Sequence, residues 1–242
     1  DLARVVATAH PCLPVGLLAS AEVLAALGRP EEALERVQAS ETIAGRVHGL
    51  DSVPFAVTRV ARAGLDRSMG RVAEAVEALD SAVSTLLRTG DEEHLGGVLL
   101  LLGEVHTETG DLIRAVDTLQ WALGVEEEAL GTESPQLLPI LKALSHASLL
   151  LSGPGSSCLV PLHRAARILT QPFRNGHCHG PTAPQADEVR KVMVELSELQ
   201  EDCGLKTEAM ETLQTARRLG LLSAQPHPDA ACSEGDKSRL EQ

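Results

Sequence analysis

Tyrosine is missing from this 242-residue chain, and one tryptophan and two phenylalanines are all the aromatics it has. A β-sandwich or barrel draws its core from β-branched and aromatic side chains, so the composition points instead to packed helices with an aliphatic, alanine-rich interior. Apolar residues still make up 43% of the chain, enough for a continuous core. Basic residues are also short: 21 Lys and Arg face 34 Asp and Glu, a net charge of −13. That deficit argues against nucleic acid or an anionic lipid surface as the main partner and favours basic or apolar protein segments. Five cysteines (Cys12, Cys158, Cys178, Cys203, Cys232) are scattered and never form Cys-x-x-Cys. They predict free thiols in a reducing compartment, the cytoplasm, and not a disulfide framework. No apolar run approaches the ~20 residues of a membrane span, and no signal peptide opens the chain. The first residue is Asp1, not Met, which predicts a fragment with further repeats ahead of it.

The motifs of catalysis are missing as well. The sequence has no Gly-x-Ser-x-Gly elbow, no phosphate-cradling glycine loop and no His-Glu-x-x-His. No nucleophile, base and orienter stand together, so the chain is read as non-enzymatic, with no cofactor. His177-Cys178-His179 offers imidazole and thiolate donors, but no second pair lies nearby to complete a four-ligand zinc site. No metal is assigned to it. Glu126-Glu127-Glu128 ends an apolar stretch and reads as a solvated helix terminus.

What the chain does have is a register of small residues. It is clearest in Val98–Ala122 (VLLLLGEVHTETGDLIRAVDTLQWA). Gly103 and Gly110 lie seven apart; Ala115, Leu119 and Ala122 follow at intervals of five, four and three. Gly110 ends one helix in a tight turn, while Ala115 and Ala122 share a face of the next helix and admit a close neighbour. Leu119 fills the space between them. Four more stretches repeat the spacing: Ala33, Val37 and Ser40 after Gly28; Ala75, Leu79 and Ala82 after Gly70; Cys158, Leu162 and Ala165 after Gly153; Ala209, Leu213 and Ala216 after Gly204. These turn glycines are spaced 42, 40, 43 and 51 residues apart. The pattern resembles the tetratricopeptide (TPR) repeat, at the small positions rather than the aromatic ones. The usual unit is about 34 residues. The longer period here, with Leu130-Gly131-Thr132-Glu133-Ser134-Pro135 as a Leu-Gly-x-x-x-Pro junction, resembles the repeats of kinesin light chains.

The resemblance implies an all-α, right-handed superhelical solenoid of about five antiparallel hairpins. Its units are expected at about 15–50, 53–92, 94–133, 135–170 and 185–222. Residues 1–14 then end a preceding repeat or form a tail, and residues 223–242 form a disordered tail. In that family the first helix of each unit lines a concave groove. Carrying the register over puts Glu22, Gly64, Glu104, Ala147 and Glu198 at one equivalent groove position, with Arg67, Glu108, Glu195 and Asp202 beside that row. None of the five is Asn, Lys or Arg, so the set that clamps a chaperone's C-terminal carboxylate is missing. Two residues stand out from the pattern. His146 occupies an expected helix crossing and reads either as a groove contact or as a bulky residue that widens the fourth unit. Trp121 reads as packing between repeats. The implied function is a protein-binding scaffold that holds a peptide or helix through apolar anchors and acidic contacts. The alternative is a structural spacer or self-assembly segment of a larger complex.

Overall fold

In a computed structural model, which describes residues 13–174 and 183–221, every regular element is helical. The helices are α1 (Leu13–Ala26), α2 (Pro30–Val47), α3 (Val53–Ser68), α4 (Val72–Thr89), α5 (Glu92–Thr109) and α6 (Leu112–Leu130). A 3-10 turn (Pro135–Leu137) leads into α7 (Leu138–Ser152), followed by α8 (Ser156–Arg174), α9 (Ala183–Asp202) and α10 (Lys206–Arg218). The chain divides into two compact units, Asp1–Ile168 and Leu169–Gln242. The expected preceding repeat end (except Leu13 and Pro14), the expected C-terminal tail, His177-Cys178-His179, Cys12 and Cys232 lie outside the described residues.

Local sequence sets the helix ends. Pro30 opens α2 with Glu31 and Glu32 in its first turn, where acids meet the positive end of the dipole. The Ser52 and Asp91 side chains accept hydrogen bonds from the amides of Phe55 (3.4 Å) and His94 (3.0 Å), capping α3 and α5. Asp91 starts α5 well before Val98. Gly110 ends α5 at φ 79°, a left-handed conformation that a side chain would strain. Gly28, Gly70, Gly153 and Gly204 also have positive φ.

In the first unit the hairpins meet along the small-residue register of the second helices. Ala33, Ala75, Ala115 and Cys158 are fully buried, as are Ser40, Ala82, Ala122 and Ala165. Helices α5 and α6 approach closely at Gly103. A Cβ built on Gly103 would stand 2.5 Å from Leu119 Cγ, so glycine is what lets Leu119 lie across the first helix. Neighbouring hairpins then join through aliphatic side chains: Leu79, Val83 and Leu86 share a core with Leu95, Val98, Leu99 and Leu102. Between the first two hairpins that layer is partly ionic. Arg59 and Arg62 reach Glu41 at 2.8 and 3.3 Å, and Arg59 also lies over the Phe55 ring. Asp66, buried on α3, takes Arg62 at 3.4 Å and Arg71 at 2.9 Å.

The junction after α6 is held from the following hairpin. Arg164 on α8 donates to Glu127 and to the Thr132 carbonyl, and Arg167 pairs with Glu133 at 2.6 Å. The glutamate run is only in part a solvated terminus: Glu128 is exposed, but Glu127 is ion-paired and Glu126 packs against Gly96. Trp121 is 44% exposed instead of packed between repeats, because it neighbours Ala122 on the outer side of α6.

The second unit carries the α9–α10 hairpin. Val189, Val192, Met193, Leu196 and Leu199 of α9 are buried, as are Ala209 and Ala216 of α10, whereas Leu213 is half-buried. Gln200 is buried and accepts a hydrogen bond from Thr212 at 2.8 Å, which gives its amide oxygen a donor.

Candidate functional site

The first helices of the hairpins present one repeated face in the first unit, and five of the expected groove residues, Glu22, Gly64, Arg67, Glu104 and Glu108, lie on it. Arg67 of α3 reaches across to α5. Its Nη1 donates to Glu104 at 2.9 Å, and its Nε and Nη2 donate to Glu108 at 3.0 and 2.5 Å. These bonds, that to Glu108 foremost, hold the guanidinium above its ordinary range. The two glutamates that sequence alone presents as an open acidic pair are thus tied to one arginine. The cluster keeps a formal charge of −1 and bridges two consecutive repeats.

Next to it, between α1 and α3, lies an open hollow of about 350 Å³. Leu18, Ala21 and Ala25 line it from α1, Val37 from α2, and Ala61 and Leu65 from α3; Glu22, Gly64 and Ser68 complete it. The space exists because the facing residues are small: a Cβ on Gly64 would meet nothing within 4 Å. Its lining is aliphatic, with one carboxylate at the edge. A second cleft of about 530 Å³ lies among α6, α7 and α8, between Leu123, Leu144, Leu151 and Val160, with Ser148 in its lining. At the place of Ser148, α5 carries the buried His106, whose burial pushes its imidazole below the ordinary value and favours the neutral ring.

Glu195, Glu198 and Asp202 belong to the second unit, where all three stand exposed on α9. Among the described residues no group of three or more His, Cys, Asp or Glu could hold a metal ion. Neither Cys158 nor Cys203 is in a disulfide. Among the same residues no helix is long and apolar enough to cross a membrane.

No family model matches the sequence, and no curated protein matches it. Solved structures do. A Podosopora anserina protein named as a kinesin light chain with nearly identical TPR-like repeats is 20% identical, at TM-score 0.68 over 88% of this chain and 97% of that one. A point variant of the same protein is 21% identical at TM-score 0.70, over 87% and 95%. BtubC (BKLC) from P. vanneervenii is 17% identical at TM-score 0.59, over 94% and 95%. The fold is an all-α, TPR-like repeat fold.

The TPR-like register corrects the sequence reading in the fourth repeat. The buried residues of α5 (Leu95, Gly96, Val98, Leu99, Leu102, Gly103, Val105, His106) match one for one those of the 3-10 turn and α7: Leu137, then Leu138, Ile140, Leu141, Leu144, Ser145, Ala147, Ser148. Ser145 therefore takes the crossing place of Gly103, and its hydroxyl donates to the Cys158 carbonyl at 2.8 Å. The exposed His146, and not the fully buried Ala147, is the equivalent of Glu104. Helix α7 runs to Ser152, one residue further past the crossing than α5 does, so counting back from Gly153 lands one residue late. His146 consequently widens nothing and faces the same side as Glu22, Gly64 and Glu104.

Ala61 was missed as a site residue, and Gly64, though placed in the groove row, was not read as opening a hollow. The signal for them was a small residue on a TPR-like first helix at a position that no close helix crossing requires.

Proposed function

We propose that this chain is a non-enzymatic protein-binding scaffold of the cytoplasm and that its first-helix face captures a peptide or helix of a partner. The observation that carries this reading is the aliphatic hollow beside Glu22, set next to the Arg67–Glu104–Glu108 cluster on the same repeated face. Apolar space gives a partner side chain somewhere to leave water, and the adjoining acids select basic neighbours. In the second unit Glu195, Glu198 and Asp202 supply acidic contacts of the same kind. The net charge of −13 supports basic or apolar protein segments over nucleic acid. The five scattered cysteines, never in Cys-x-x-Cys, support a reducing compartment.

Affinity capture read by mass spectrometry tests it. A triple charge reversal, Glu22→Lys with Glu198→Lys and Asp202→Lys, is expected to lose most of what the parent chain captures while keeping its far-ultraviolet helix signal, since exposed charge changes cost little stability. Capture should also weaken as salt rises through the screening range. A reversed chain that captures the same proteins as well as the parent puts the binding surface elsewhere.

A further inference from the structure

The hollow between α1 and α3 combines two features that point to the chemistry of its occupant. Its walls are aliphatic and Gly64 leaves it open, so an apolar side chain fits where a polar one would lose its hydration without a matching partner. The charges around it are unbalanced: Glu22 stands at its edge, and the Arg67–Glu104–Glu108 cluster next along the face holds two carboxylates against one guanidinium. We propose that this hollow is a pocket for a single large aliphatic or aromatic side chain of a partner segment whose flanking residues are Lys or Arg. The assignment rests on the first-helix face being the binding surface and goes further by naming the occupant. One flanking cation sits at Glu22. The other meets the Glu104 and Glu108 carboxylates, whose lone pairs outnumber the donors Arg67 supplies. An acidic segment with the same apolar residue is excluded by like charge on both sides of the pocket.

Fluorescein-labelled nonapeptides test this by anisotropy against the full chain. The set has Leu, Phe, Ala or Asp at the centre and flanks of Lys or of Glu. The Lys-flanked Leu and Phe peptides are expected to bind; Ala or Asp at the centre, or Glu flanks, should weaken binding about tenfold or more. Gly64→Leu fills the pocket and is expected to weaken the same peptides at least as much. The change does not threaten folding, because its Cβ enters open space and leucine is the better helix former. Glu22→Lys should weaken the Lys-flanked peptides and relieve the penalty on the Glu-flanked ones. Equal binding of Lys- and Glu-flanked peptides, no effect of Gly64→Leu, or no binding by any peptide would overturn the proposal. If captured proteins are lost on triple charge reversal yet held equally by Gly64→Leu, the binding face stands and the pocket assignment falls. If the triple reversal leaves capture intact, the face itself is wrong.

Discussion

Leu119→Ala is expected to lower stability by about 2–5 kcal/mol, the range for removing a fully buried leucine from a close-packed site. The more telling result comes from its partner. In the parent chain Gly103→Ala places a methyl group 2.5 Å from Leu119 Cγ, and overpacking of this kind costs about 1–3 kcal/mol. In the Leu119→Ala background the same change meets vacated space, so it should cost nothing or restore part of the loss. Urea unfolding of the four chains closes the cycle. A coupling of about 1–3 kcal/mol is expected for residues in direct contact. Additive losses would show that Gly103 and Leu119 do not form the crossing.

Asp66→Ala is expected to cost about 1–3 kcal/mol. The carboxylate side chain is only 3% exposed and accepts from Arg62 and Arg71, whose own side chains are 33% and 38% exposed. Removing it leaves the half-buried Arg71 guanidinium without its anion and Arg62 with Glu41 alone, and hydrogen bonds to charged groups lie at the upper end of hydrogen-bond contributions. Solvent reaching the arginines keeps the loss below that of a fully buried pair. Glu32→Ala is the control. Its ion pair with Arg29 is exposed on both sides and its contact with the helix dipole is a surface one, so a clearly smaller drop in melting temperature is expected. Equal melting temperatures for the two variants would mean that the Arg62–Asp66–Arg71 cluster contributes nothing to the packing of α3.

These two sites divide along the line between what sequence shows and what it hides. The Gly103–Leu119 crossing was legible because it depends on spacing within one hairpin. Gly110 forces the turn, and the turn fixes which small residues face one another. The five hairpins and the helical fold class follow from the same local rule repeated. Arg67 shows where that rule stops: its partners Glu104 and Glu108 are 37 and 41 residues away, and pairing across repeats depends on how hairpins stack. The acids looked open because their counter-charge came from another repeat. His146 and Ala147 exchanged roles because a turn glycine marks where a helix ends, not how far the helix runs past its crossing. Glu126 and Glu127 were misread for the reason that hid Arg67, since Gly96 and Arg164 are distant in sequence. The hollow at Gly64 was the hardest to see, being defined by side chains that are absent from the groove face.

Site-specific photocrosslinking tests the central claim most directly. A benzophenone side chain is placed at Gly64, inside the hollow, or at Ile113, which is 66% exposed on α6 outside it. Both positions accept a large group, so both chains should fold. If the first-helix face binds the partner, irradiation of cells should give a discrete covalent adduct, or lose capture by steric block, at position 64 while the Ile113 chain captures normally without an adduct. An adduct at position 113, with capture unimpaired and no adduct at 64, would contradict the account and move the binding surface to the second helices.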